Sequence, residues 1–150
     1  MPRLLFTVLC QKAIINRDDG NLTLASIFTG LQFNVTVRPG ERHLDGVLNP
    51  MPFEWYSASC WLRDAGEENL DYDQRFRLIF PDGSSPYEAI AQMQFATNTA
   101  NAVIRSSSFP VTTSGLYTMV IDGRLRGTID WTEAIRYPIT VEYTERVETE

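Results

Sequence analysis

The chain offers few residues that could perform chemistry, and it has one histidine. Histidine is the usual base that activates a serine or cysteine nucleophile, so His43 is the one candidate for that role. It lies in the irregular stretch 38–52, together with Arg38 and Arg42. Because long loops on compact domains often carry function, these three residues form a candidate loop site for an anionic substrate. The alternative is a solvated crossover between two sheets.

The two cysteines, Cys10 and Cys60, fall in strand-like runs rather than in a nucleophile motif. We expect both thiols to be buried and to pack as small hydrophobic groups. Two cysteines and one histidine at unrelated spacings are too few for a zinc site, and the paired aspartates within 18–19 and 71–73 lack the spacing of a calcium loop. The sequence therefore predicts no catalytic residue, no metal site and no cofactor. A hydrolase that uses carboxylates from distant strands stays an alternative.

The strand-like run from Phe53 to Leu62 carries the strongest surface signal. One side of this run holds the aromatic residues Phe53, Trp55 and Trp61. The other side holds Tyr56, Ala58, Cys60 and Leu62. If this second side packs in the core, the aromatic side points outward and forms either a protein interface or a platform for stacking sugar rings. The alternatives are a strand covered on both faces, or an assignment in which the two sides are exchanged.

Two signals around 113–131 predict local structure. Asp122-Gly123 separates two alternating runs, and this pair supplies the positive backbone angles of a tight two-residue hairpin turn. Leu125, Ile129 and Trp131 should then lie on the inward side of the second run. The order Gly115-x-Tyr117 predicts a tyrosine corner, in which a Tyr hydroxyl bonds to upstream backbone in immunoglobulin-like sandwiches.

The remaining runs also predict strands. A frame shift at Gly30 indicates a kink by which one strand bends between two sheets. The runs 76–80 and 87–95 predict a second hairpin, 137–143 predicts the last strand, and 145–150 predicts a frayed acidic tail. About eight short strands with regular turn signals and no convincing helix predict an all-β fold. We expect a single domain over 1–150, a two-sheet antiparallel β-sandwich of immunoglobulin-like or C2-like type, with a closed barrel as the alternative.

Composition limits the classes of function. A chain of 150 residues with 43% hydrophobic residues suits one globular domain. The net charge of -6 argues against a nucleic-acid or anionic-membrane surface, because both need clustered Lys and Arg. The apolar run Leu4–Cys10 is short for a signal core, and no small-residue cleavage pattern follows it. We therefore expect a cytoplasmic protein with reduced thiols.

Three features resemble a family of small bacterial β-sandwich proteins without an established function. They are the starting strand 4–10, the turn and strand 19–28, and the closing Gly115-Leu116-Tyr117 with Asp122-Gly123 and Gly127. The resemblance implies a β-sandwich and contributes no catalytic residue. These observations favour a non-enzymatic protein-binding or self-assembly module that pairs with itself, as a homo-oligomer, or with a partner chain. The contact would be the 53–61 face or an exposed edge strand. Carbohydrate or small-ligand binding is the alternative function.

Overall fold

The computed structural model describes residues 1–18, 21–43, 45–95 and 97–149. Every regular element in these residues is a β-strand. The strands are β1 Arg3–Ile15, β2 Leu22–Phe28, β3 Gly30–Val37, β4 Asn49–Met51, β5 Trp55–Leu62, β6 Tyr72–Ile79, β7 Tyr87–Met93, β8 Thr99–Ser106, β9 Phe109–Val111, β10 Gly115–Leu125 and β11 Thr132–Val147. The all-β prediction is confirmed. None of the described residues belongs to a helix of the length and apolar character that a membrane crossing requires.

The strands form three sheets. Sheet A has the order β2-β1-β5-β8 with antiparallel neighbours. Sheet B has the order β3-β11-β10-β6-β7, and its one parallel pair joins β3 to β11. The short strands β4 and β9 pair as sheet C. The prediction of purely antiparallel pairing is therefore wrong at β3, which runs in the same direction as the strand beside it.

The predicted kink at Gly30 is confirmed. β2 ends at Phe28 in sheet A, and β3 begins at Gly30 in sheet B. The backbone amide of Thr140 in β11 donates to the carbonyl oxygen of Thr29 at 3.1 Å, which holds the corner against sheet B. One continuous stretch of chain thus forms an edge of both large sheets.

The inner faces of sheets A and B share one hydrophobic core. The Trp55 ring of sheet A contacts the Phe76 ring of sheet B with centroids 5.4 Å apart. The largest fully buried side chains come from both sheets and from β9; they include Trp55, Trp61, Tyr117, Phe76, Phe109, Leu9, Leu78, Met119, Ile121 and Ile139. The predicted hairpin of β6 with β7 is confirmed by their antiparallel register.

The predicted tyrosine corner is present. The Tyr117 hydroxyl accepts hydrogen bonds from the backbone amides of Thr112 at 2.9 Å and Thr113 at 3.3 Å. It donates to the carbonyl oxygen of Thr113 at 2.9 Å. The bend that precedes β10 is thereby fixed to the buried end of the Tyr117 side chain.

The turn predicted at Asp122-Gly123 is wrong, because both residues lie inside β10. The chain turns later, where the Thr128 amide donates to the Leu125 carbonyl at 3.1 Å and Gly127 has a φ of 86°. Tertiary contacts keep the strand extended through Gly123. A Cβ at that position would lie 3.2 Å from the Cη2 atom of Trp61, so glycine here admits the indole ring rather than a turn.

The inward positions predicted after that turn are also wrong. Leu125 is 36% exposed and Ile129 is 87% exposed. The Trp131 ring lies against the guanidinium groups of Arg75 and Arg124. Segment 126–131 is a turn and a connection outside the core. The alternation in its sequence therefore does not correspond to a buried face.

The first three residues of the acidic tail, 145–147, belong to a strand. β11 continues to Val147, and the Glu148 amide donates to the Val37 carbonyl at 2.9 Å. The pairing with β3 therefore extends into the acidic tail as far as Val147, and fraying of the tail stays a prediction. Asp19, Gly20 and Glu150, which belong to the predicted turn at 19–20 and the predicted tail, lie outside the described residues.

Candidate functional site

The predicted outward aromatic side of β5 is wrong, because its two sides are exchanged. Trp55 and Trp61 are each 0% exposed and face sheet B. Each indole finds a hydrogen-bond acceptor inside: Trp55 Nε1 donates to the Ser108 carbonyl at 2.8 Å, and Trp61 Nε1 donates to Gln74 Oε1 at 2.6 Å. These acceptors, one partly buried and one fully buried, allow two amphipathic indoles to lie in the core. Neither tryptophan can therefore serve as a sugar platform or an interface in this fold.

Phe53 also belongs to the packing between the sheets. Its ring makes edge-to-face contacts with Phe28 and Phe33, with centroids 5.6 and 6.0 Å apart. The two serines between the tryptophans are fully buried as well, and Ser59 shares a hydrogen bond of 3.0 Å with Thr7. Buried, hydrogen-bonded serines explain why the sequence pattern indicated the wrong side.

The candidate loop site has a structural role at His43. The His43 ring Nε2 lies 2.6 Å from the Val47 carbonyl oxygen, which only accepts, so Nε2 carries the proton. The His43 amide donates to Glu145 Oε1 at 2.8 Å, and its ring packs on Tyr143. His43 thereby fastens the loop to β11. Arg38 and Arg42 are exposed on the same loop, and their role in anion binding stays a prediction.

The outer side of sheet A carries a surface that we call the apolar face. The register of β1 and β5 places Phe6 beside Cys60 and Val8 beside Ala58 on this side, away from the buried tryptophans. The face consists of Phe6, Val8, Cys10, Ile27, Tyr56, Ala58, Cys60, Leu62 and Val103. Phe6 is 40% exposed and Ile27 is 56% exposed. The structure therefore leaves two large apolar side chains exposed on this side of sheet A.

Ion pairs at the rim of the apolar face are balanced within the chain. Arg105 pairs with Glu54, whose carboxylate also accepts from the Tyr56 hydroxyl at 3.0 Å. The hydrogen bonds from Arg105 and Tyr56 lower the pKa of Glu54. Arg3 pairs with Asp64 at 3.5 Å. The register of β1 with β2 also places exposed Lys12 on this side, beside Ala25. The rim therefore carries two ion pairs and one lysine around an uncharged centre.

The outer side of sheet B carries charged side chains, in contrast to the apolar face of sheet A. At its centre Asp122, only 1% exposed, accepts hydrogen bonds from Arg75 Nε at 2.8 Å and from Arg77 Nε and Nη2 at 2.8 and 3.0 Å. Burial favours a higher pKa for Asp122, but the hydrogen bonds and charges of Arg77 and Arg75 outweigh it and lower the pKa. We call this surface, with Asp73 and Arg124, the charged face.

An aromatic ring covers part of the charged face. The Trp131 ring contacts the guanidinium groups of Arg75 and Arg124, whose Cζ atoms are 4.6 and 4.2 Å from its centroid. Arg124 and Arg126 also pair with Asp73 at 3.3 and 2.9 Å. Because these arginines are engaged by carboxylates and an indole of the same chain, the cluster stabilises sheet B rather than offering an anion site. The alternating arginines at 75, 77, 124 and 126 were the sequence signal for this face.

An open cleft of about 350 Å³ lies at the corner between β2 and β3. Its lining is Gln11, Ser26, Ile27, Phe28, Gly30, Leu31, Gln32 and Phe53. No residue of this lining is ionisable, so the cleft suits a neutral group with one apolar side. Ser26 occupies the left-handed region with a φ of 55°, which is a local distortion in β2 at the cleft wall.

The thiols show no sign of activation. Burial raises the pKa of both Cys10 and Cys60. A raised pKa leaves a thiol protonated at neutral pH and a poor nucleophile or metal ligand. Within the described residues, no group of three or more His, Cys, Asp or Glu side chains is placed to hold a metal ion.

Comparison with known proteins finds no family model that matches the chain and no curated protein significantly similar to it. The resemblance to small bacterial β-sandwich proteins therefore stays a prediction. The candidate site rests on the chemistry of its own residues, above all on the contrast between the apolar face and the charged face.

Proposed function

We propose that this chain is a non-catalytic assembly module that associates with a second copy of itself through the apolar face. The observation that carries the proposal is the difference between the two outer surfaces. The charged face is typical of a surface that stays in water, whereas the apolar face keeps Phe6 and Ile27 exposed around buried Cys10 and Ala58. Burial of such a surface is the main driving force of protein association.

A second copy suits the apolar face because of its charges. The chain has a net charge of -6, so two copies repel each other over most of their surface. At this face, however, Arg105 is paired with Glu54 and Arg3 with Asp64. A twofold contact between two such faces brings apolar groups together, and these four rim charges are already paired within each copy.

A non-catalytic role is supported by the state of the nucleophile and base candidates. His43 is bound to the Val47 carbonyl and packed on Tyr143. Burial raises the pKa of Cys10 and Cys60. Asp73 and Asp122 are committed to arginine pairs. The two thiols are therefore protonated at neutral pH and the two carboxylates are paired with arginine, which is unfavourable for a hydrolase.

The test is the solution mass of the purified protein by light scattering over a wide concentration range. We expect a mass of at least twice 17.1 kDa for the natural sequence. The double variant Phe6→Ser/Ile27→Ser should lower the mass by half, since it removes the two most exposed groups of the apolar face. The matched control Leu116→Ser/Ile129→Ser changes residues that are 58% and 87% exposed elsewhere, and it should keep the original mass. Equal masses for the two double variants would contradict the proposal.

The proposal extends to the arrangement of the two large sheets. We infer a single β-sandwich in which sheets A and B are the two layers, because Trp55 meets Phe76 and Trp61 meets Gln74 across the core. The Tyr117 corner favours the immunoglobulin-like type over the C2-like type. Location in the cytoplasm is part of the proposal, since an assembly module with two protonated thiols suits a reducing compartment.

Small-molecule binding is the second candidate function, and the corner cleft favours it. A volume of about 350 Å³ lies at the low end of small-molecule sites, which range from about 300 to 1,000 Å³. We expect a neutral ligand, with its polar groups on Gln11 and Gln32 and its apolar side on Phe53. Side-chain amide signals of the two glutamines, followed by NMR during titration with neutral sugars, should shift if the cleft binds them. Unmoved signals at saturating sugar would remove this candidate.

A further inference from the structure

The two large sheets end in four edge strands, β2 and β8 in sheet A and β3 and β7 in sheet B. Among the described residues, a single bridge links the edges at β7 and β8, and the β2 edge is interrupted. On one side, an isolated bridge between Phe95 and Ala100 joins the chain after β7 to β8, and Arg63 covers the Phe95 ring at 4.8 Å. On the other side, Ser26 interrupts β2 with a φ of 55°. The fourth edge is β3, Gly30–Val37, whose register with β11 runs without a shift from end to end.

β3 lacks the usual protection of an edge strand. Natural proteins guard exposed edges with charged side chains, proline or bulges, because unpaired backbone groups attract other strands. Residues 22–37 contain no charged residue and no proline, although 21% of the chain is charged. At β3 the strand is also regular. An unguarded, regular and uncharged edge indicates a strand that pairs in the assembled protein.

The backbone hydrogen bonds identify which groups are available at this edge. The carbonyl oxygens of Thr29 and Val37 accept from the amides of Thr140 and Glu148, at 3.1 and 2.9 Å. Because the bonding side alternates along a strand, the odd-numbered residues of β3 bond to β11. The amides and carbonyls of Gln32, Asn34 and Thr36 therefore face the open edge.

We propose that β3 pairs antiparallel with β3 of a second copy across a twofold axis, which makes it a second self-association surface. The inference rests on the proposed function in one respect, since both take a second copy of this chain as the partner. Opposite residues of an antiparallel pair share the same hydrogen-bonding type, so edge-facing residues must meet one another. The register that uses nearly the whole strand places Asn34 on the axis.

This register is chemically self-complementary. Gln32 lies opposite Thr36 of the second copy, so the solvent-exposed side of the proposed contact carries polar pairs. Phe33 lies opposite Val35, an aromatic and β-branched pair of the kind that stabilises antiparallel sheets. The paired strands of the two copies contain no charged residue. The pairing therefore adds nothing to the electrostatic repulsion between two chains of net charge -6. Sheet B would become a continuous sheet of twice its present width.

Charged substitutions at Asn34 test whether this residue lies on the twofold axis. In the Phe6→Ser/Ile27→Ser background, which removes the apolar-face contact, we expect a remaining mass of twice 17.1 kDa by light scattering. Adding Asn34→Lys, or separately Asn34→Asp, places like charges opposite each other and should give monomers. Mixing the Lys and Asp proteins in equal amounts should restore a mass of twice 17.1 kDa. Circular dichroism of each variant confirms that it is folded.

The outcomes separate this inference from the proposed function. If the Phe6→Ser/Ile27→Ser protein is monomeric while the natural sequence is a dimer, the edge pairing is overturned and the apolar-face contact stands. If this double variant keeps the mass of the natural sequence but Asn34→Lys lowers it, the edge pairing stands and the apolar-face contact fails. A mixture of Lys and Asp proteins that stays monomeric also overturns the edge pairing.

A disulfide trap provides a second measurement of the register. Hydrogen-bonded antiparallel pairs have Cα atoms about 5.5 Å apart, within the range that a disulfide can bridge. Asn34→Cys should therefore form a covalent dimer under mild oxidation. Gln92→Cys, on the β7 edge of the same sheet, is the matched control and should stay largely uncrosslinked. Equal crosslinking rates at the two positions would overturn the proposed register.

Discussion

Trp61 and Gln74 connect the two large sheets through a hydrogen bond of 2.6 Å from the indole Nε1 to the amide Oε1. Both side chains are 0% exposed. The amide Nε2 of Gln74 has no hydrogen-bond partner among the described residues, so the indole is the main polar contact of this buried amide. The bond therefore fixes the position of one sheet over the other.

Loss of this bond should destabilise the protein. Trp61→Phe leaves Oε1 of Gln74 buried and unpaired, and we expect the free energy of unfolding to fall by about 2–4 kcal/mol. Urea denaturation of Trp61→Phe, Gln74→Met and the double variant measures the coupling between the two residues. Strictly additive losses would contradict a direct bond, because paired residues give a coupling energy of about 0.5–3 kcal/mol.

Gly123→Ala should also destabilise the core, through steric contact with the same indole. The added Cβ would lie 3.2 Å from Cη2 of Trp61 and 3.3 Å from Cε of Met1. We expect a loss of about 1–3 kcal/mol, the usual cost of overpacking. In the Trp61→Phe background the ring is smaller, so the same substitution should cost less. An equal loss in both backgrounds would show that the ring is not the cause.

Asp122 predicts a defined pH dependence. Its pKa lies below the ordinary value of 3.8, despite burial, because Arg77 and Arg75 stabilise the carboxylate. The resulting stabilisation is complete above the unfolded-state pKa and is lost as the pH falls through the lower folded-state pKa. Asp122→Asn should lower the free energy of unfolding at pH 7 by about 2–4 kcal/mol and flatten its decline below pH 4. The control Asp130→Asn changes an exposed residue outside this cluster and should alter the free energy of unfolding at pH 7 by less than about 0.5 kcal/mol.

Thiol labelling gives an independent measure of the apolar face. Cys60 is partly buried there, and burial raises its pKa, so it should react with a maleimide at least about tenfold more slowly than free cysteine at pH 7. If two copies cover this face, the rate at Cys60 should fall further as the protein concentration rises. The variant Phe6→Ser/Ile27→Ser should lose this concentration dependence. A rate that is constant with concentration in both proteins would argue against the contact.

Strand patterns that depend on nearby residues were predictable from the sequence. The alternation in β6 and β7 and the Tyr117 corner involve partners close in the chain, and the structure confirms them. Asp122-Gly123 failed as a turn because its environment comes from Arg75, Arg77 and Trp61, which are distant in sequence. Local turn preference is weak compared with a buried ion pair and a packed indole.

The candidate site was predictable only in part. The run 53–62 contains the relevant strand, but the acceptor for Trp55 is Ser108, in the chain before β9, and the acceptor for Trp61 is Gln74 on β6. Because those partners are distant in the sequence, the pattern of two indoles and two serines predicted a solvent-exposed face. The apolar face itself needs β1, β2, β5 and β8 side by side, and no single stretch of sequence displays it.

The pairing of β3 with β11 has a consequence for the order of events during synthesis. Gly30 pairs with Thr140, about 110 positions later, and β11 is also the neighbour of β10. Sheet B cannot close until the last strand has left the ribosome. Such distant pairing makes folding slow, in the range of milliseconds to seconds for β proteins. Until β11 is synthesised, the uncharged β3 therefore lacks the neighbour that it has in the folded protein, and the backbone groups along both of its edges are unpaired.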